Sequence, residues 1–175
     1  MSTLFVNNLN TASGSTITVP TGKKLVVTDG GGVTSPGMVV QVQQSTASAN
    51  LNTASTSYVQ GPATSTFTMK DSSNKVLVTF NVLIKTTTSG SYNGARIALY
   101  RGDVASGTKI TSGTEPQLLS YSSEIWAWQT LQFLDTPGAS SVTYSLGINR
   151  HSTASSAQIM GSYGNTVMML QEIAT

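Results

Sequence analysis

The 175-residue sequence contains no cysteine and only one histidine, His151. Without cysteine the chain can form neither a disulfide framework nor a thiolate metal site, and it has no cysteine nucleophile. One imidazole cannot supply the several ligands of a zinc site, and no serine is singled out as its partner in a Ser-His-acid triad. We therefore expect no metal site, and we expect His151 to be a structural residue near the surface, at a strand end.

Charged residues are also scarce, at 9% of the chain, with 9 Lys or Arg against 7 Asp or Glu. The net charge of +2 and the lack of any basic cluster longer than Lys23-Lys24 argue against nucleic acid as a partner. No apolar run approaches the roughly eighteen residues of a membrane span, and no leader pattern follows Met1. We expect a protein that is made in a cytoplasm, does not insert into membranes, and leaves by lysis or inside a larger particle.

The acidic residues are spread singly along the chain: Asp29, Asp71, Asp103, Glu115, Glu124, Asp135 and Glu172. This spacing predicts turn caps, because a calcium site needs clustered oxygen ligands and a glycosidase needs two converging carboxylates. The run Gly30–Gly32 lacks the Lys-Ser/Thr pair of a phosphate-binding loop and indicates a flexible joint. We predict no cofactor site and no catalytic residue, and we expect that the protein is not an enzyme.

Short alternating runs of apolar and polar residues, separated by turn residues, continue from residue 37 to the end of the chain. The strongest lies in 75–85, where one face carries Val76, Val78, Phe80, Val82 and Ile84. In 38–44 one face carries Met38, Val40 and Val42, and the other carries Val39, Gln41 and Gln43. We expect one of these two faces to point inward. Seven or eight such strands predict an all-β, jelly-roll-type β-sandwich over 37–175. The alternative is an immunoglobulin-like sandwich, which the length and the missing Cys and Trp landmarks disfavour.

Residues 1–36 precede this sandwich and are predicted to form a short β-arm or stalk for attachment or trimerisation. Its apolar side chains are too few to bury much surface by themselves, so we expect them to pack against other copies or another protein. The candidate interface residues of the arm are Leu4, Phe5, Val6, Leu9, Ile17, Val19, Leu25 and Val27.

Two further segments of the sandwich are candidates for contact with a ligand or another chain. Trp126 and Trp128 share one face of a predicted strand, because residues two apart point the same way. With Tyr121 they suit either stacking on a sugar or burial between sheets or protomers, and burial is favoured because Ile125, Ala127, Leu131 and Phe133 already supply an inner face. Met168 and Leu170 belong to a strand that is apolar on both faces, which is typical of either the core or an oligomer interface.

Several segments together point to a family: the opening Met1–Asp29 with Ile17–Lys23 as its core, then Pro36–Val42, Lys70–Val78 and the closing Met168–Ala174. They resemble small, tail-fibre-like virion structural proteins of tailed phages that infect marine bacteria, of the cyanophage type. The resemblance covers most of the chain. It implies a structural protein of the virion, synthesised in the host cytoplasm, that forms a homotrimer and contacts other phage virion proteins.

The residues agree with this implication, because a Cys-free β protein of low charge with an apolar arm is typical of a repeated particle component. Three copies could bury the arm and the two-faced strands around one axis. We therefore predict a trimeric fibre or knob attached through the arm. The alternatives are a carbohydrate- or receptor-binding tip with a host-surface glycan as partner, and a capsid decoration protein. A polysaccharide hydrolase is disfavoured by the absence of a carboxylate pattern.

Overall fold

The computed structural model describes residues 21–22, 35–87, 93–111, 115–120, 124–152 and 156–175. The chain divides into two compact units, Met1–Val33 and Thr34–Thr175. Of the first unit only Thr21 and Gly22 are described, in an exposed turn where Gly22 has a φ of 79°. The arm predicted over 1–36 thus falls almost wholly outside the described residues, and its role stays a prediction.

The described residues of the second unit form β-strands joined by turns and loops. The strands are β1 (Val39–Ala47), β2 (Asn50–Thr53), β3 (Val59–Thr68), β4 (Lys75–Thr87), β5 (Asn93–Arg101), β6 (Thr108–Lys109), β7 (Gln117–Ser120), β8 (Ile125–Asp135), β9 (Ser141–Ser152), β10 (Ser156–Met160) and β11 (Thr166–Ile173). The all-β prediction is confirmed. Among these residues there is no helix that could cross a membrane.

The strand pairing is that of a long antiparallel ribbon rolled up on itself. β1 pairs with β11, β3 with β9, β4 with β8, and β5 with β7, so the early strands meet the late ones in reverse order. Rolling this ribbon places β1, β11, β4 and β8 in a six-stranded sheet and β3, β9, β5 and β7 in a five-stranded sheet. Strands β10 and β2 complete the first sheet and β6 the second. This is the order of a jelly roll, which confirms the predicted fold over the immunoglobulin-like alternative.

The core lies between the two sheets. The predicted inward face of β4 is confirmed, since its five apolar residues are each 0% exposed: Val76, Val78, Phe80, Val82 and Ile84. They belong to one cluster with residues of the facing sheet, including Phe67, Ile97, Leu99, Leu146 and Ile148. Full burial of such a side chain contributes about 1.5–3 kcal/mol, so this strand is a main source of stability.

In β1 the face that turns inward is the one that carries the glutamines. Gln41 lies opposite Glu172 of β11, and Val42 points outward with 56% exposure. The Gln41 side-chain amide donates to the carbonyl oxygen of Thr68 at 2.7 Å, and the Gln43 amide donates to that of Thr66 at 3.1 Å. β1 therefore meets β3 at an edge of the sandwich through hydrogen bonds, which a valine face could not provide.

The prediction that single acidic residues cap turns holds for Asp71, which accepts a hydrogen bond from the Ser73 amide at 2.9 Å. It is wrong for Asp135 and Glu172, which lie in strands with 3% and 0% exposure. Each of these two carboxylates is buried because donors from other elements of the fold converge on it. Sequence spacing carries no sign of that convergence.

Candidate functional site

The six-stranded sheet has an outer face, turned away from the core, that carries large exposed apolar side chains. Val42 is 56% exposed, Trp128 51%, Leu134 50% and Trp126 38%. Three rows of residues run across this face from β1 through β11 and β4 to β8: Val42, Gln171, Leu77 and Leu134; Gln44, Met169, Thr79 and Gln132; Thr46, Val167, Asn81 and Thr130. Every residue of these rows is uncharged. Such a face is suited to contact with another molecule.

Trp126 and Trp128 lie at the end of this face on β8. The alternate residues of β8 point to the core as predicted, with Leu131 4% exposed and Ile125, Ala127 and Phe133 partly buried against it. The two indoles consequently point outward and are not buried between the sheets. Of the two kinds of burial expected for them, only burial between protomers is compatible with this placement.

The structure adds Tyr163, from the turn between β10 and β11, to the two indoles. Its ring lies edge-on to that of Trp126, with centroids 5.1 Å apart and planes at 84°. Tyr163 is 70% exposed. We call Trp126, Trp128 and Tyr163, with Lys85 and Glu124 beside them, the aromatic corner.

A salt bridge orders the polar side of the aromatic corner. Lys85 Nζ lies 2.8 Å from Glu124 Oε2 and 5.0 Å from the centroid of the Trp126 ring. The Trp126 indole N–H donates to Glu124 Oε1 at 2.5 Å. The hydrogen bonds from Lys85 and then from Trp126 lower the pKa of the Glu124 carboxyl, so it is ionised at neutral pH. The corner therefore presents aromatic rings beside fixed polar groups.

Gly164 gives Trp128 its position. A Cβ at Gly164 would lie 2.5 Å from Cζ2 of the Trp128 indole, which is closer than van der Waals contact permits. The indole thus packs directly on the backbone of the turn between β10 and β11. A side chain at Gly164 would push it away from the sheet.

Several residues predicted from the sequence lie outside the described residues. They are Tyr121 and the arm residues Leu4, Phe5, Val6, Leu9, Ile17, Val19, Leu25 and Val27. Sequence reasoning missed Tyr163, although the sequence shows a tyrosine next to the turn residues Gly164-Asn165. Only the order of strands in the sheet brings that turn beside β8.

Met168 and Leu170 do not lie on the outer face. They are 0% and 1% exposed and pair with Phe80 and Val78 on the inner face of β4. Side chains covered by their own chain cannot contact another copy, which corrects their prediction as interface residues. On this strand Val167 and Met169 point outward instead.

The described part of the chain contains no group of three or more His, Cys, Asp or Glu residues that could hold a metal ion. His151 is partly buried near the end of β9, opposite Gly94 of β5. The outer face offers apolar side chains, aromatic rings and polar amide and hydroxyl groups, which suit burial of apolar surface, stacking and hydrogen bonding.

No protein-family model matches the chain, and no curated protein matches its sequence. Among solved structures, one of Bacillus endospore appendages, described as a family of disulfide-linked pili, has a TM-score of 0.34 and 13% identity over 82% of this chain and 97% of that one. The VP2 subviral particle of infectious bursal disease virus has a TM-score of 0.37 and 10% identity, over 78% of this chain and 38% of that one. The Gx strain of that virus gives 0.33 and 11%, over 77% and 37%.

These TM-scores are too low to carry an argument, so the fold assignment rests on the strand order. The chain spans well under half the length of the two viral chains. The named proteins belong to pili and virus particles, and none is described as a tail fibre. Membership of the tailed-phage virion proteins, which the sequence segments resemble, therefore remains a proposal.

Proposed function

We propose that this protein is a structural component of a phage virion, a trimeric fibre or knob that residues 1–36 attach to the particle. The observation that carries the proposal is the outer face, on which Val42, Trp128 and Leu134 are each about half exposed. A single chain leaves this apolar surface in water. Association of copies would bury it, and burial of apolar surface is the main driving force for protein association.

Further observations support an assembly role. The described residues hold no cluster of metal ligands, and their two buried carboxylates, Asp135 and Glu172, are saturated with hydrogen bonds inside the fold. The sequence segments that resemble tailed-phage virion proteins cover both the arm and the sandwich. Self-association also supplies stability to a small chain without disulfides.

We expect the full chain at micromolar concentration to have the mass of a trimer by multi-angle light scattering. Leu134→Gln should shift the population towards smaller species, because it removes apolar surface from the outer face. The matched control is Leu119→Gln, since Leu119 on β7 is 43% exposed but belongs to the other sheet. A wild-type monomer at every concentration, or equal effects of the two variants, would contradict the proposal. Labelling the protein on imaged virions tests its place in the particle.

The aromatic corner favours a second function, a tip that binds a glycan of the host surface. Aromatic rings beside hydrogen-bonding groups are the usual means by which proteins hold a sugar, through stacking on its apolar face. The half-exposed ring of Trp128 and the Lys85–Glu124 pair provide both features.

A titration of the full chain with host-surface oligosaccharides, followed by tryptophan fluorescence, tests this second function. We expect Tyr163→Ala to weaken binding by about fivefold, since an aromatic contact contributes about 1 kcal/mol. Tyr163→Phe keeps the ring and should bind as wild type does. If no oligosaccharide changes the tryptophan emission, glycan binding by this protein is contradicted.

A further inference from the structure

The turn between β10 and β11, residues 161–165, projects over the outer face of the six-stranded sheet. β8 pairs with β4 along nearly the whole length of β4. β10 and β11 also pair with β4, at different parts of that strand, so they lie end to end along its other side. The turn joins them, and its Tyr163 ring meets the outward-pointing ring of Trp126. The turn therefore interrupts the outer face.

Contacts at both ends hold this turn across the width of the sheet. On β2, Asn50 Oδ1 accepts a hydrogen bond from the Ser162 backbone amide at 2.9 Å, and the Asn50 side-chain amide donates to Ser162 Oγ at 2.9 Å. On β8, the Trp128 indole packs on Gly164. We call residues 161–165 together with Trp128 the ridge. The ridge separates the three uncharged rows described above from the part of the outer face that contains Trp126.

On the Trp126 side of the ridge, one row of residues crosses four strands. Asn52 of β2, Gln158 of β10, Lys85 of β4 and Trp126 of β8 lie directly opposite one another in sequence of strands, and we call these four the polar row. Neighbouring strands are about 4.8 Å apart, so the row is about 14 Å long. It thus has aromatic rings at one end and the ridge along one side.

The polar row presents hydrogen-bonding groups without net charge. The Gln158 side-chain amide donates to Ser156 Oγ at 3.1 Å, which orients the amide and uses one of its two N–H groups. Asn52 is exposed. Lys85 is the one cation of the row, and Glu124 already pairs with it at 2.8 Å. A ligand on this row would meet donors and acceptors but no uncompensated charge.

These features select an uncharged ligand that is rich in hydroxyl groups. An aromatic ring stacks on the apolar face of a sugar, and side-chain amides bond to its hydroxyls. Nucleic acid and sulfated or sialylated glycans are held by cations, and here the cation is already paired. A protein partner would need an apolar anchor near the centre of its contact, where this row has Gln158 and Lys85.

We propose that the polar row binds a segment of an uncharged oligosaccharide, which lies along the ridge from Trp126 to Asn52. This inference rests on the second candidate function, glycan binding at the aromatic corner, and adds the class of glycan and the residues that bind its far end. Because the row is longer than one sugar ring, affinity should rise from a monosaccharide to a trisaccharide. The ridge also keeps this site apart from the uncharged rows that the proposed assembly would bury.

An array of neutral, sulfated and sialylated oligosaccharides, probed with the full chain, tests the class of ligand. We expect the protein to bind neutral chains of two or more sugars and to bind their sulfated counterparts more weakly. Binding of sulfated or sialylated chains alone, or of no oligosaccharide, would overturn the proposal.

Variants at the far end of the row test where the ligand lies. Asn52→Ala and Gln158→Ala should each weaken binding of the tightest neutral oligosaccharide by about fivefold, because each removes a hydrogen-bonding amide. The matched control is Gln44→Ala, an exposed amide of β1 on the other side of the ridge, which should bind as wild type does. If Tyr163→Ala weakens binding while Asn52→Ala and Gln158→Ala do not, the polar row is rejected and the aromatic corner alone binds the glycan.

The role of the ion pair is tested by Glu124→Gln, which leaves Lys85 without its carboxylate. The affinity for a sulfated oligosaccharide, relative to its neutral counterpart, should then rise by about fivefold, because a sulfate can bond to the released ammonium group. An unchanged ratio would contradict the assignment of an uncharged ligand to this site.

Light scattering separates this inference from the proposed assembly. Asn52→Ala should keep the wild-type mass, whereas Leu134→Gln should form smaller species but keep the wild-type affinity per chain for a soluble oligosaccharide. A wild-type trimer that binds no oligosaccharide would reject this inference alone. A wild-type monomer that binds neutral chains and loses affinity on Asn52→Ala would reject the assembly alone.

Discussion

We expect that Asp135→Ala will lower the free energy of unfolding by about 3 kcal/mol, measured by urea denaturation at pH 7. Asp135 ends β8 in the six-stranded sheet, and its partners come from the five-stranded sheet. Arg101 Nε donates to Asp135 Oδ2 at 2.8 Å, the second Arg101 contact is made by Nη2, and the Tyr144 hydroxyl donates to Oδ2 at 2.7 Å. The carboxylate thus joins the two sheets.

The size of this effect follows from what the substitution leaves behind. Tyr144 is 0% exposed, so its hydroxyl would lose its acceptor in a place that water does not reach. The Arg101 side chain is 35% exposed and can be partly hydrated, which keeps the expected loss at the lower end of the range for broken buried pairs. Burial and then the bond to Asp135 raise the pKa of Tyr144, so the tyrosine stays neutral and donates at every pH of interest.

Asp135→Asn and Tyr144→Phe serve as graded controls. Asp135→Asn retains an acceptor for Tyr144 but loses the charge, and we expect a loss of about 1–2 kcal/mol. Tyr144→Phe removes one hydrogen bond and should cost about 1 kcal/mol. If all three variants unfold within about 0.5 kcal/mol of wild type, the carboxylate does not hold the sheets together.

Glu172→Gln should lower the free energy of unfolding by about 2–3 kcal/mol at pH 7. The buried carboxylate accepts hydrogen bonds from the backbone amides of Lys70 at 2.9 Å and Asp71 at 3.0 Å, and from the side-chain amide of Asn74 at 2.7 Å. Gln41 of β1 donates to it as well. These bonds fix the turn between β3 and β4 to β11, and a glutamine, which has one acceptor and a donor group, cannot satisfy them all.

The effect of Glu172 should also depend on pH. Burial by itself raises the pKa of the Glu172 carboxyl, but the bonds from Lys70, Asn74, Asp71 and Gln41 together lower it below its ordinary value. A folded-state pKa below the unfolded one stabilises the protein at every pH above the unfolded value of about 4.3. That stability is lost as the pH falls through the lower, folded-state pKa. Between neutral pH and pH 3 the difference between wild type and Glu172→Gln should therefore shrink.

The matched control for Glu172 is Glu124→Gln at the exposed aromatic corner. The Glu124 side chain is 47% exposed, and exposed ion pairs contribute little, so we expect a much smaller change than for Glu172→Gln. A difference between wild type and Glu172→Gln that is as small as this, or that stays constant down to pH 3, would show that the buried carboxylate is not the anchor of the turn.

Much of the core could be read from alternation alone. The inward face of β4 follows from the period of two in Lys75–Lys85, because that strand has one clearly apolar face, and the inward face of β8 was predicted from Ile125, Ala127, Leu131 and Phe133. The same period put Met168 and Leu170 on one face of β11 without saying which. Both faces of that strand are apolar, so only its neighbours decide that Met168 and Leu170 point inward.

The sequence predicted part of the candidate site. The pair Trp126 and Trp128 stood out, and their outward direction followed from the apolar residues between them. The sequence could not show that the two indoles lie beside Tyr163, Lys85 and Gly164. The reason is that β4, β8 and the turn before β11 are distant from one another in sequence. The buried roles of Asp135 and Glu172 were hidden for the same reason.

By itself the sequence determined the class of fold, the absence of thiol chemistry and the strands that hold the core. These properties depend on residue type and on the order of neighbours along the chain, which short-range geometry translates directly into strands and faces. Only the tertiary structure decided which faces of β1 and β11 point inward, which carboxylates become buried and which aromatic rings meet. Those outcomes depend on long-range strand pairing, and the rolled ribbon brings together residues from opposite ends of the domain.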